Sequence, residues 1–411
     1  MTISFRRLCP LLLLIFIDSF SYFVVIPVLL RLFYGHHASI LSPGTTMTTR
    51  DVLTGVTIAL SPLAALLSAP FIGNASDHYG RKKTLLGCLC CVLIGFVLPI
   101  MGIVKKSVAL ILLGRFVAGV GSASQPVAQA VVADLCQEKD KAWMLSNIAL
   151  MMTLALIVGP LAGGYLSDVH LSHVLSLTTP YLFASILSVL NILLLLFFFQ
   201  ETLQPKTSAY LLSVREVATR LPHYIKRYGF GCLLIVFFLL ELGWSQYYQS
   251  ISLLLHVHWH YSARDISLFN AYLGMVMSVG LLILYPILLR FFSIKMVMRW
   301  SVFFVTAGFV GCVLLKPMVL HWLCAGIVAI FTGTAYVSLV ALISNQTAKT
   351  HQGLVMGFLS TLLFFAWMLT AFDAGFLIAY HAMLPLYLSL LFLVIAVIFT
   401  FQKGMSCETT V

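Results

Sequence analysis

The chain has 411 residues, of which 61% are hydrophobic and 9% charged, and its formal net charge is +11. Soluble domains carry about 25% charged residues, so this composition excludes a water-exposed surface over most of the chain and makes lipid its main solvent. The positive balance does not point to nucleic acid, because the cations are gathered on one side of a membrane topology.

Apolar runs near twenty residues recur along the whole length. Each can cross a hydrocarbon core about 30 Å thick as a helix, and helices are required because lipid offers the backbone no hydrogen-bond partners. A barrel would need short alternating segments, and runs such as Leu187 to Phe199 do not alternate. The expected fold is therefore an all-α membrane protein of twelve transmembrane helices. In chain order the spans are expected at roughly 8–32, 52–73, 84–104, 107–131, 142–167, 179–199, 230–254, 266–289, 300–315, 319–344, 353–378 and 382–401.

The first of these follows Arg6 and Arg7, as a signal peptide would, but it runs past Val25 without a small-residue cleavage site and is expected to stay as a span. With the N-terminus in the cytoplasm, 17 of the 24 Lys and Arg fall on the cytoplasmic side, 6 fall opposite, and Arg115 lies inside span four. Both termini are therefore expected in the cytoplasm. The sequons at Asn74 and Asn345 then face inward, where they would not be glycosylated, and the nine cysteines offer no outward-facing pair for a disulfide.

The longest polar stretch between spans, near 200–229, divides them six and six. Residues 1–199 and 230–411 are thus expected to be two pseudo-symmetric six-helix halves joined by a cytoplasmic linker, rocking about a central site. Asp18 in span one and Glu241 in span seven support the duplication. Each follows a similar apolar run, precedes small residues and aromatics, and lies roughly 15 Å into its helix.

An acid at that depth costs several kcal/mol unless it is paired, hydrated or neutralised. Asp18 and Glu241 are the leading candidates for binding a proton or solute, the alternative being structural acids satisfied by hydroxyls or by Arg115. Asp373, near the outer end of span eleven, is a third candidate and could equally sit at the interface. Arg115 lies deeper than a loop cation and could fix helix packing as a counter-ion. Trp244, Tyr247 and Tyr248 share a stretch of span seven with Glu241, and Trp367 lies in span eleven. Together they could form an aromatic box for lipophilic or cationic solutes. His256, His258 and His260 diverge on a helix, and no metal site is expected. No P-loop appears, no cofactor is expected, and no enzymatic constellation is visible.

The residues Gly73-Asn74-Ala75-Ser76-Asp77-His78-Tyr79-Gly80-Arg81-Lys82-Lys83 resemble the signature loop of the major facilitator superfamily, G-x-x-x-D-x-x-G-R-K/R. Gly73 and Gly80 would allow close approach and a tight turn, and Asp77 would accept from helix N-terminal amides or a nearby Arg, latching a gate together with Arg81 and Lys82. Arg115 to Gly121, with Gly119 and Gly121 spaced after the Arg, resembles the family's fourth-span pattern, which implies a part in proton transfer for Arg115. Ala155 to Gly164 is similar to its fifth-span antiporter pattern, with Ala155 in place of the first Gly. There, Gly159, Pro160, Gly163 and Gly164 would interrupt the helix and let it bend, either for packing or for the transport motion. Gln200-Glu201-Thr202 resembles P-E-T after span six. The second half keeps less of the pattern.

This set is most similar to the twelve-span drug:proton antiporters. The resemblance implies a proton-driven carrier in a bacterial inner membrane, exporting a small amphipathic molecule such as a drug, siderophore or metabolite. A proton-coupled importer of an amino acid or nucleoside is the alternative. Its partners would be the solute, protons and the bilayer, with no nucleic acid, and it would work as a monomer.

Overall fold

The structure, a computed structural model, describes residues 5–34, 40–42, 44–135, 138–167, 175–202, 229–259, 261–315, 317–347, 352–381 and 383–401. Twelve of its helices are long and apolar enough to cross a bilayer: Cys9–Tyr34, Val52–Ala69, Arg81–Val104, Val108–Val132, Ser146–Leu166, Thr179–Phe198, Gly231–Leu255, Asp265–Phe291, Ile294–Leu314, Met318–Gln346, Val355–Ala374 and Leu384–Phe401. These are the twelve expected spans, with ends shifted by a few residues. Span nine differs most. It begins at Ile294 rather than near 300, because Ser293 caps its first turn, so Lys295 and Arg299 sit on the helix. The linker expected at 200–229 lies almost wholly outside the described residues.

Spans seven and ten bury 72% of their apolar windows, whereas spans six and twelve bury 33%, so the former form the centre and the latter face lipid. Spans two, three and four are held backbone to backbone by glycines. A Cβ on Gly95 would lie 2.6 Å from the Ala118 backbone, one on Gly121 would lie 2.6 Å from a Val92 methyl, and one on Gly119 would lie 2.8 Å from Ala64 Cβ. No substituent fits at such separations, and glycine gives the van der Waals contact that drives helix association in lipid.

Three spans change their helical winding, each beside a proline. Span one breaks at Val24, three residues before Pro27. Span four breaks at Ala123 and Ser124, just before Pro126, and span eight widens to a π-turn over Gly280–Leu284, just before Pro286. A proline lacks the N–H that would bond the carbonyl four residues back, so the helix gives way upstream of it. Span five was expected to be interrupted in its Gly-Pro run, yet Glu138–Leu166 is one continuous helix through Pro160. Its glycines serve the neighbouring break instead. A Cβ on Gly159 would fall 2.6 Å from Phe23 Cβ, and one on Gly163 would overlap the Val24 carbonyl oxygen.

Candidate functional site

A cavity lies where the two sets of six spans meet. Its walls come from spans one, two, four and five and from spans seven, eight, ten and eleven. It encloses roughly 1090 Å³ of space free of protein atoms, part of it continuous with solvent. The lining positions run from mid-span toward the face that carries the ends of spans six and seven, here called the linker face. On the opposite face the walls are close. A Cβ on Gly55 would lie 3.7 Å from the Ala371 carbonyl, and one on Gly164 would lie 3.0 Å from Ser267 Oγ.

Asp18 and Glu241 both line this cavity, one from each set of spans, although each is buried. The break in span four presents Ser124, whose hydroxyl donates to Asp18 Oδ2, while Asp18 Oδ1 has no protein partner. Glu241 Oε2 accepts from the Trp367 indole N–H at 3.1 Å. The walls are otherwise mainly apolar and aromatic, with Tyr22, Phe23, Trp244, Phe364 and Trp367 joined by hydroxyls such as Ser61 and Thr332 and by Gln125, and no Lys or Arg lines them among the described residues. The arrangement sets two carboxylates beside aromatic faces in one recess, which suits a cation with an apolar body.

Arg115 is fully buried but does not pair with Asp18. Its Nη1 donates to the Ser21 carbonyl at 2.9 Å and its Nε to the Thr57 carbonyl at 3.3 Å, and its Cζ lies 5.8 Å from the Tyr22 ring centroid. Of the expected aromatic box, Trp244 lines the cavity, whereas Tyr248 stacks behind it against Phe23 and Trp367. Tyr247 turns away into the second set of spans, where its hydroxyl meets His321 Nε2 at 3.3 Å and its ring meets Phe309. Asp373 stands beyond the cavity toward the opposite face, near Gln246, and is not brought to the other two acids.

The signature segment is also arranged differently from expectation. Helix runs from Met47 to Tyr79, so Gly73 is helical, and nothing lies within 4 Å of where its Cβ would be. The turn is made by Gly80 alone, at φ 101°, a conformation that favours glycine. The Asp77 side chain lies outside the described part, and the first amides of span three are capped by Glu201. Its two carboxylate oxygens accept the Arg81 amide at 2.9 Å and the Lys82 amide at 3.1 Å, at the N-terminus of span three. Lys82 Nζ in turn donates to the Leu196 carbonyl at 2.7 Å, and Arg81 Nη1 to Ser76 Oγ at 2.5 Å. Glu201→Gln should lower stability by about 1 kcal/mol, the usual worth of a charge-assisted cap. The loss should shrink in high salt when thermal unfolding is followed in detergent.

Three residues at the site escaped the sequence reading: Tyr22, Ser124 and Gln249. Tyr22 is one helical turn from Asp18, a spacing that could have flagged it.

The Major Facilitator Superfamily model matches residues 11–371, and the chain belongs to that family of transporters. It is 34% identical over 152 residues to the class C tetracycline resistance protein of Escherichia coli, covering 36% of this chain and 35% of that protein. It is 30% identical over 177 residues to multidrug resistance protein MdtG of Proteus mirabilis, covering 42% and 40% respectively. The chain thus spans well under half the length of these curated relatives. Among solved structures, the human organic anion transporter MFSD10 (TETRAN) superposes with a TM-score of 0.78 at 18% identity, covering 96% of this chain and 99% of that one. A D-xylose-proton symporter does so with a TM-score of 0.70 at 12% identity. These two similarities show a shared fold.

Proposed function

We propose that this transporter exports a small amphipathic cation in exchange for protons, by alternating access, from a bacterial inner membrane in which both termini are cytoplasmic. The observation that carries the reading is the placement of Asp18 and Glu241 on opposite walls of one mainly apolar cavity that no Lys or Arg lines among the described residues. With the linker face in the cytoplasm, the cavity is offered to cytoplasmic solute. A cation settles between the ionised carboxylates with its apolar body against Trp244 and Trp367. Once the cavity turns outward, protons neutralise the carboxylates and remove the charge that held the solute. The tetracycline and multidrug resistance relatives support an exported, partly apolar cargo.

The test is transport by the purified full chain in proteoliposomes carrying a pH-sensitive dye, with tetraphenylphosphonium, a tetracycline and an amino acid as probes. Proton movement opposite to a lipophilic cation or a tetracycline is the expected result. Co-directional movement with the amino acid alone would make the protein an importer and overturn the export reading.

A further inference from the structure

Tyr22 stands where the two sets of spans meet on the closed side of the cavity. Its hydroxyl lies 3.1 Å from Gln249 Oε1, a bond between spans one and seven. The direction of this bond is fixed by its surroundings. The Gln249 amide nitrogen donates to the Trp367 carbonyl at 2.8 Å and to Thr370 Oγ1 at 2.9 Å. A carbonyl only accepts, so the amide oxygen must face Tyr22, and Tyr22 must donate.

Among the described residues, side-chain bonds from Gln125 to Tyr336 at 3.2 Å and between Thr153 and Ser278 at 2.7 Å also join the sets of spans, and each involves a cavity-lining residue. Gln249 does not line the cavity. It lies two helical turns past Glu241, about 12 Å further toward the opposite face.

The Tyr22 ring is held on both sides. Arg115 lies over one side, and Trp367 packs edge-on at 5.3 Å and 82°. The same Trp367 holds Glu241 through its indole N–H and Gln249 through its carbonyl. Asp18 is one turn away from Tyr22 on the same helix.

We infer that Tyr22 and Gln249 are a positioning pair that latches the opposite face shut and releases it according to what occupies Glu241. This rests on the alternating-access reading. A solute cation that takes the Glu241 carboxylate competes with the Trp367 N–H. An indole displaced from Glu241 withdraws the edge that packs Tyr22 and so frees the hydroxyl that holds Gln249. An empty cavity thus keeps the latch made, and a loaded one unmakes it. Such a device would prevent opening without cargo.

The experiment uses the full chain with its native cysteines replaced and one reporter cysteine at Gly55, on the closed seam. The rate of labelling by a bulky maleimide is read in reconstituted protein without solute. Tyr22→Phe keeps both ring packings and deletes only the hydroxyl, and Gln249→Leu deletes the other partner. Each should speed labelling about three- to tenfold, the range expected from losing one interhelical side-chain bond in a membrane. The double variant should be no faster than the faster single one, because the two residues share the same single bond between spans one and seven. A reporter at Ser19 in the cavity should slow in parallel.

Unchanged labelling at Gly55 in both singles, with monodisperse elution, would overturn the latch, as would full additivity in the double variant. This readout needs no solute. A transporter that moves no cation yet labels as expected would therefore sink the export reading and leave the latch standing.

Discussion

Glu241→Gln should abolish solute-driven proton movement, and Asp18→Asn should do so or leave no more than a tenth of it. Both substitutions keep the shape of the side chain and an oxygen for its observed donor, Trp367 N–H in one case and the Ser124 hydroxyl in the other. The fold should therefore survive, and thermal unfolding should match the wild type. What is lost is the ability to alternate between a charge and a neutral group. A charge-assisted interaction contributes about 1.5–3 kcal/mol, so binding of a lipophilic cation should also weaken about tenfold or more in each variant. Dye-monitored proton flux and equilibrium binding of tetraphenylphosphonium measure the two effects separately. Proton-coupled transport at the wild-type rate in both variants would remove the paired carboxylates from the mechanism.

Gly119→Val should be the most damaging single substitution in the first six spans, while Gly73→Val should be harmless to folding. A Cβ at Gly119 would overlap the Ser61 carbonyl oxygen and lie 2.8 Å from both Ser61 Cα and Ala64 Cβ. Two of these atoms belong to a helix backbone, which cannot rotate aside as a side chain can. Overpacking usually costs about 1–3 kcal/mol, and here the rigid neighbour places the cost at the upper end or beyond it. Gly73 belongs to the signature segment but has open space where its Cβ would go, and its helix would tolerate a side chain. Folded yield and melting temperature in detergent decide the matter. Equal losses at the two positions would show that helix separation in this body is not what sets its stability.

The twelve spans were legible because hydrophobic length is a local property, and the shifted ends reflect caps such as Ser293 rather than missing helices. Asp18 and Glu241 stood out for the same reason, as rare acids in apolar runs at matched depth. Their partners did not. Ser124 is 106 residues from Asp18, and Trp367 is 126 residues from Glu241. Nothing in a local pattern says which of many serines or aromatics will face an acid across a bundle. Arg115 could be placed in the membrane, but its pairing with main-chain carbonyls rather than with a carboxylate depends on how span four crosses spans one and two. The helix breaks were written locally, in Pro27, Pro126 and Pro286, and were hidden because a broken span has the same hydropathy as a straight one. The Gly-Pro run of span five misled in the opposite sense. Its glycines make room for a neighbour's break while their own helix continues.

The glycine seams among spans two, three and four have a mechanical consequence. Helices in contact through their backbones have no layer of side chains to shear, so the three move as a single beam. A beam of that stiffness carries a tilt applied at the Gly80 turn to the far end without dissipating it in local repacking. Span one is jointed at Val24, where Gly159 and Gly163 bring it close to span five rather than to this beam. A push at the membrane surface would therefore reach the carboxylate as leverage about that joint, with Asp18 on the longer arm.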